Sequence, residues 1–316
     1  MNVLIVGAGL IGSATAWRLA QAGAQVKLVD AGRFGGETSS AGAGMLAPGG
    51  EFAGPSVWFG LGVEGMRMYP AFVDELRAET RMPIDFAQPG CRHFMAAEEA
   101  SRRAAFQSAN GIRVETISGG LFYPDAGFVD PIDMLRALRC ANEARGVAVL
   151  ENKPVSEIES SAHDAVVIAA GAWSQQLRVT FRGKALALRP VKPIKGHLIG
   201  FDLAPGSLGP MLRREHTYVL QRSSGFTIAG STEEDAGFDR SVNAGTCEQI
   251  HRDAARLFPA LESATPSRCW IGFRPYSAEP HIGRVQGTNV WLAYGHFRNG
   301  ILLTPLTAAR ISEQLL

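Results

Sequence analysis

The chain has 316 residues, 46% hydrophobic and 19% charged, which is enough apolar material for one large domain or two ordinary ones and too little charge for a disordered chain. Lys and Arg number 31 against 30 Asp and Glu, a formal net charge of +1, and no basic run exceeds a pair, so the electrostatic footprint of a nucleic-acid or anionic-membrane binder is missing. No apolar stretch reaches roughly 18 residues, so no membrane span is expected.

Cys91, Cys140, Cys247 and Cys269 are widely spaced with no Cys-x-x-Cys, which points to reduced thiols in a cytoplasmic protein rather than metal or redox pairing. The nearly uncharged start of the chain lacks a basic leader, and its glycines suit a phosphate-binding turn better than a signal peptide. Composition leaves homo-oligomerisation open.

In chain order, "NVLIV" (Asn2 to Val6) is a continuous apolar run, the pattern of a strand buried on both faces of a parallel sheet. Gly7-Ala8-Gly9-Leu10-Ile11-Gly12 comes directly after it and matches G-x-G-x-x-G. A helical pattern then runs from about Leu10 to Ala22 and stops at Gly23, and "QVKLVD" reads as a second strand closing on Asp30. Each part suits an adenine dinucleotide. Gly7 allows the tight turn, Gly9 lets backbone approach a pyrophosphate, and Gly12 lets helix and strand pack closely. The helix N-terminus attracts the phosphates, and Asp30 accepts from ribose hydroxyls.

The small-residue stretch "GETSSAGAGMLAP" comes next, able to lie against a large planar cofactor. "FVDPIDMLRALRCANEARG" reads as a helix with Asp130 as N-cap, Pro131 in the first turn and Gly146 as the stop. "DAVVIAAGAWS" reads as a buried strand ending in Gly171-Ala172-Trp173. The middle of the chain changes character. "HLIGF", "TYVLQ" and "FTIAG" are short strand patterns, the last two joined by the hairpin signal Arg222-Ser223-Ser224-Gly225. An antiparallel sheet over a substrate is expected there. The apolar "NVWLAY" then leads into "GHFRNGILLTP", where His296, Arg298 and Asn299 interrupt the join to a terminal helix capped by Thr304 and begun by Pro305.

Read together, the G-x-G-x-x-G with its acid, "TSSAGAGMLAP", "VVIAAGAWS", "GFRP" and "GHFRNGILLTP" resemble the D-amino-acid oxidase superfamily of FAD-dependent oxidoreductases. The pattern is most similar to its glycine oxidase branch of thiamine biosynthesis. The resemblance implies an α/β fold: a Rossmann-like FAD-binding domain with a parallel sheet, interleaved with an antiparallel-sheet substrate domain. The expected division is 1–82, 131–176 and 268–316 for FAD and 83–130 with 177–267 for substrate.

For FAD the resemblance implies contacts from Gly7, Gly9, Leu10, Ile11, Gly12, Asp30, Thr38, Ser39, Ala43, Gly44, Met45 and Val155. Further contacts are implied from Gly171, Trp173, Gly272, His296, Phe297, Asn299, Gly300, Ile301 and Leu302. Val155 stands in a segment shorter than the family's usual strand pair.

Oxidising an amino acid beside a flavin requires its carboxylate to be pinned so that Cα–H is held in line, and a guanidinium matches a carboxylate with two parallel N–H groups. Arg274 in "WIGFRPY" and Arg298 in "YGHFRNG" sit in unusually apolar settings. The resemblance makes Arg274 the carboxylate clamp, Arg298 a second substrate-side arginine and Tyr218 a hydroxyl assisting the carboxylate. Thr232 falls where the bacterial enzymes of that branch have a bulkier methionine.

A general-base role for His296 competes with packing or flavin contact. The backbone N–H groups of Gly300 to Leu302, with the terminal helix dipole behind them, are expected to face negative charge on the reduced flavin. No G-x-S-x-G is present, which leaves a serine hydrolase without its nucleophile elbow. The implied activity is oxidation of glycine or another small amino acid or amine by molecular oxygen, with hydrogen peroxide as co-product. The alternatives are a D-amino-acid or sarcosine-type dehydrogenase delivering electrons to a quinone or other acceptor, an NAD-dependent dehydrogenase, and a flavoprotein retained for binding or assembly rather than turnover.

Overall fold

Alternate residues of Asn2–Val6 face opposite sides of a sheet, and both sides are covered. The computed structural model, which describes residues 1–316, places this strand inside a six-stranded sheet. The order is His281–Arg284, Val290–Tyr294, Ala165–Ile168, Asn2–Val6, Gln25–Val29 and Ala148–Leu150. All pairs are parallel except the outermost, His281–Arg284 against Val290–Tyr294.

Val3 and Ile5 pack with Ala16, Leu19, Trp291 and Ile311, under the helices Leu10–Gln21 and Thr304–Leu315. Leu4 and Val6 point the other way, toward Ile158 and Val179. Each such aliphatic side chain contributes roughly 1.5–3 kcal/mol when fully buried, so this register is strongly specified.

A second sheet has eight strands, in the order Arg268–Tyr276, Lys192–Asp202, Phe226–Gly230, Thr217–Gln221, Met211–Arg214, Cys91–Phe94, Gly120–Tyr123 and Glu115–Ile117. It is antiparallel except where Met211–Arg214 meets Cys91–Phe94. The expected hairpin is present, Tyr218 opposite Gly230 and Gln221 opposite Thr227, with Gly225 at φ +94° in its turn. Helix Ala244–Leu257 covers one face through Cys247, Ile250 and Ala254. A small sheet of Met45–Leu46, Gly127–Val129 and Phe86–Ala87 completes this part of the chain.

The sheets divide the chain differently from the expected boundaries. Arg268–Tyr276, expected on the FAD side, hydrogen-bonds along Lys192–Asp202 at the edge of the antiparallel sheet, with Arg274 opposite Ile194. Arg178–Phe181 and Lys184–Leu186, expected on the substrate side, instead join Glu157–Glu159 in a three-stranded sheet. Its Val179 packs beneath the parallel sheet, and that burial outweighs sequence proximity to Lys192–Asp202.

Helix Pro131–Ala144 begins as expected, Asp130 accepting from the backbone N–H groups of Ile132 and Asp133. The longest helix, Val57–Thr80, was not expected, because Gly60, Gly62, Gly65 and Pro70 break its pattern. Gly65 is required by contact: a Cβ there would lie 2.6 Å from the Leu302 carbonyl oxygen.

Candidate active site

The G-x-G-x-x-G segment turns tightly between the first strand and first helix. Gly7 has φ +107°, and a Cβ on it would stand 2.4 Å from the Ala169 carbonyl oxygen. Gly12 lies beneath the turn, where a Cβ would meet the Gly7 oxygen at 1.9 Å, so its contribution is close packing rather than lining. The backbone N–H groups of Gly9, Ile11 and Gly12 have no acceptor within the protein. Those of Gly9 and Ile11, which line the cavity that opens from this turn, form a partly positive nest at a helix N-terminus, suited to a pyrophosphate.

Asp30 directly follows the strand Gln25–Val29 and accepts from the N–H groups of Ala8 (2.7 Å) and Gly32 (2.8 Å). A carboxylate has about four lone-pair sites, so capacity for ribose hydroxyls remains. Ser39 accepts from the Leu10 N–H at 3.0 Å, and Thr38 donates to the Phe273 carbonyl at 2.6 Å. These two side chains tie the dinucleotide turn to the strand that carries Arg274.

From this turn opens a cavity of about 620 Å³. Except for Gly12, every residue expected to contact FAD lines it, as do Arg274, Arg298 and Tyr218. Ala43, Gly44 and Met45 form one stretch of wall. Gly44 has φ +85°, and a Cβ would stand 2.0 Å from the Val129 oxygen, so only glycine fits. The buried Arg222 backs this wall, donating to the Ala43 carbonyl. Val155 and Gly171 contribute further wall, Trp173 stacks on Phe238 at 4.9 Å, and Gly272 brings its strand close to Ala41.

The Phe297–Asn299 turn comes after the strand Val290–Tyr294, with Phe297 held at φ +48°, a backbone conformation costing about 1–3 kcal/mol for a non-glycine residue. Gly300, Ile301 and Leu302 make no hydrogen bond through their backbone N–H groups. All three line the cavity. Thr304 does not cap the terminal helix as expected; its hydroxyl donates backward to the Gly300 carbonyl at 2.9 Å, which fixes the turn instead.

His296 is 2% exposed, its Nε2 is 3.0 Å from the Thr307 hydroxyl, and burial pushes its pKa down to about 3. The ring is therefore neutral and too weak a base to take a proton from an ammonium; it packs the turn against the helix.

Two arginines face the cavity in opposite electrostatic states. Arg274 donates to the Thr232 carbonyl and to the Ser231 hydroxyl, both at 2.8 Å, and has no carboxylate partner. Burial, partly offset by Tyr218 and reinforced by Arg298, pushes its pKa down. A desolvated guanidinium with only neutral acceptors and donors to spare has its charge uncompensated and suits an anion. Arg298, by contrast, is held by Glu233 at 2.5 Å and by Glu51 at 3.0 Å.

Glu51 is also bound by the buried Arg213. Burial alone would raise the Glu51 pKa, but Arg213 and Arg298 outweigh it and hold it at about 2. Tyr218 lines the same space, and burial raises its pKa, so the phenol stays protonated. The Thr232 side chain turns out of the cavity, accepting from the His197 backbone N–H at 2.9 Å and donating to Glu234.

Glu51, Glu233, Arg213 and Arg222 escaped the sequence reading. Only Glu51 carried a signal, as the sole charged residue between Glu37 and Glu64.

A dinucleotide nest opening into the cavity that Arg274 lines is the arrangement of an enzyme that works with a dinucleotide cofactor. The chain belongs to the FAD dependent oxidoreductase family, whose model matches residues 2–314, and it is an FAD-dependent enzyme. It is 29% identical to the glycine oxidase of Geobacillus kaustophilus, over 99% of this chain and 92% of that protein. It is 30% identical to the glycine oxidase of Pseudomonas putida over 99% and 94%. It is 32% identical to the bifunctional protein ThiO/ThiG of Synechocystis over 100% of this chain and 51% of that protein. The crystal structure of the Geobacillus kaustophilus glycine oxidase superposes with a TM-score of 0.90 over 99% of this chain and 94% of that one.

The residues present fit FAD. The unpaired N–H groups at Gly9 and Ile11 would hold its pyrophosphate and Asp30 its ribose. The Gly44 wall and the turn from Gly300 to Leu302 would hold its ring system.

Proposed function

We propose that this protein oxidises the carbon–nitrogen bond of glycine or another small amino acid to the imine, with molecular oxygen as electron acceptor and hydrogen peroxide as co-product. The observation that carries the reading is Arg274, a half-buried cation lining the FAD cavity without a carboxylate of its own. The names of the similar proteins support it, and the resemblance to the thiamine-pathway oxidases supports a role in supplying thiazole synthesis. No helix is long and apolar enough to cross a membrane, and free thiols at all four cysteines suit work in the cytoplasm.

The chain's own residues bind and orient. Arg274 takes the substrate carboxylate in a bidentate grip, with the protonated Tyr218 phenol as an added donor. Desolvation in the cavity favours the neutral amine, whose lone pair assists as hydride leaves Cα, so no side-chain base is required. FAD, when bound, supplies the acceptor for that hydride. The N–H groups of Gly300, Ile301 and Leu302 direct partial positive charge at the reduced state without reorganising.

The test is a panel of glycine, sarcosine, D-alanine and D-proline, read anaerobically as flavin bleaching and aerobically as oxygen uptake. Bleaching with peroxide release is expected. Failure of all four to bleach the flavin overturns the proposal, and bleaching without oxygen uptake overturns its choice of acceptor.

A further inference from the structure

We propose that Glu233, through its ion pair with Arg298, restricts this site to substrates carrying a single carboxylate. The inference rests on the amino-acid reading above and adds a substrate class to it. Four charged side chains run in a line: Arg213, Glu51, Arg298 and Glu233. Their charges cancel in pairs. Arg240, which also lines the cavity, is matched by Glu37 through two bonds of 2.9 and 3.1 Å. Arg274 alone on this side has only neutral acceptors, the Ser231 hydroxyl and the Thr232 carbonyl. The substrate end therefore offers one uncompensated positive charge, which matches one carboxylate.

A second carboxylate, carried on the substrate nitrogen or side chain, has Arg298 as its natural partner. That guanidinium is already occupied on both terminal nitrogens, by Glu233 on Nη1 and Glu51 on Nη2. The second acid must either displace a carboxylate or sit beside one, and like charges at close range disfavour it. The two guards differ in how firmly they are held. Glu51 is shared between two arginines, with its side chain 16% exposed, while Glu233 makes the single pair with Arg298 and is 34% exposed. Glu233 is the guard that can be removed without stripping charge from the interior.

The experiment titrates the FAD-loaded protein, wild type and Glu233→Gln, by calorimetry with two ligands that cannot be oxidised at a carbon–nitrogen bond. Methoxyacetate is the oxygen isostere of sarcosine and has one carboxylate; diglycolate is the isostere of iminodiacetate and has two. The wild type is expected to favour methoxyacetate. In Glu233→Gln the ratio of the diglycolate Kd to the methoxyacetate Kd is expected to fall at least about tenfold. A ratio unchanged by the substitution, or a wild type that binds diglycolate as tightly as methoxyacetate, overturns the inference. Whether sarcosine bleaches the wild-type flavin is a separate result that tests only the underlying amino-acid reading, so the two fail distinguishably.

Discussion

Replacing Arg274 by methionine separates a binding cation from a structural one, because the two roles predict opposite stability changes. A carboxylate gripped by two charge-assisted hydrogen bonds, each worth about 1.5–3 kcal/mol, accounts for roughly 3–6 kcal/mol of transition-state binding. Losing it lowers kcat/KM for flavin reduction by about 10²–10⁴-fold. The folded protein responds differently. Arg274 is desolvated, and its partners are one carbonyl and one hydroxyl, each returning only about 1 kcal/mol net. An apolar side chain of similar length removes the desolvation cost, so the variant is expected to hold its Tm or raise it. Anaerobic stopped-flow reduction by sarcosine measures the first effect and a thermal scan of the same preparation the second. Reduction within threefold of wild type, or a Tm lowered by several degrees, would refute the reasoning by showing Arg274 to be a structural residue.

Three further outcomes are expected from the same geometry. Glu51→Gln leaves Arg213 and Arg298 without their shared anion and should destabilise the fold by about 3–5 kcal/mol in denaturant titrations at neutral pH. Because the folded pKa of Glu51, about 2, lies below the ordinary 4.5, that difference should be complete above 4.5 and fade as pH falls toward 2. His296 binds its proton in the unfolded chain first, with a folded pKa near 3 against 6.5, so its neutral burial favours folding above pH 6.5 and loses that advantage on acidification. His296→Asn should therefore flatten acid unfolding in that window and leave the pH profile of flavin reduction unmoved; a lost titration step in that profile would restore the histidine as a base. Gly44→Ala forces a Cβ to 2.0 Å from the Val129 oxygen at φ +85°, where left-handed strain alone costs about 1–3 kcal/mol. It should yield protein that loses FAD on gel filtration, read from the ratio of visible to ultraviolet absorbance.

What the sequence made legible was whatever depends on near neighbours along the chain. The apolar run of Asn2–Val6, the glycines of the turn and the Arg222–Gly225 hairpin are written in consecutive residues, and each forms. Helix Val57–Thr80 is hidden in the sequence because Gly62 and Gly65 serve contacts to other segments, Phe52 and Leu302 among them, rather than local conformation. Arg268–Tyr276 looked like part of the parallel-sheet unit because its neighbours along the chain, His281–Arg284 and Val290–Tyr294, belong to that sheet. Its pairing with Lys192–Asp202, far earlier in the chain, decides otherwise. The chain of charges through Arg213, Glu51, Arg298 and Glu233 draws on four separate segments, and no spacing rule joins them. Arg298 was legible as an arginine at the cavity; its neutralisation was not.

The short segment from Ser231 to Glu233 then governs both arginines at once. Ser231 and Thr232 give Arg274 neutral acceptors, which orient the guanidinium without cancelling its charge, while Glu233 gives Arg298 an anion that does. The segment is itself anchored from behind. His197 donates its backbone N–H to Thr232, and its ring Nδ1 lies 2.8 Å from Glu234 while Nε2 accepts from the Asn243 N–H. That acceptor role leaves the ring proton on Nδ1, directed at Glu234. With its side chain committed to this network, Thr232 contributes only its carbonyl to the Arg274 guanidinium. Three consecutive residues thus leave Arg274 with neutral partners only and give Arg298 an anion.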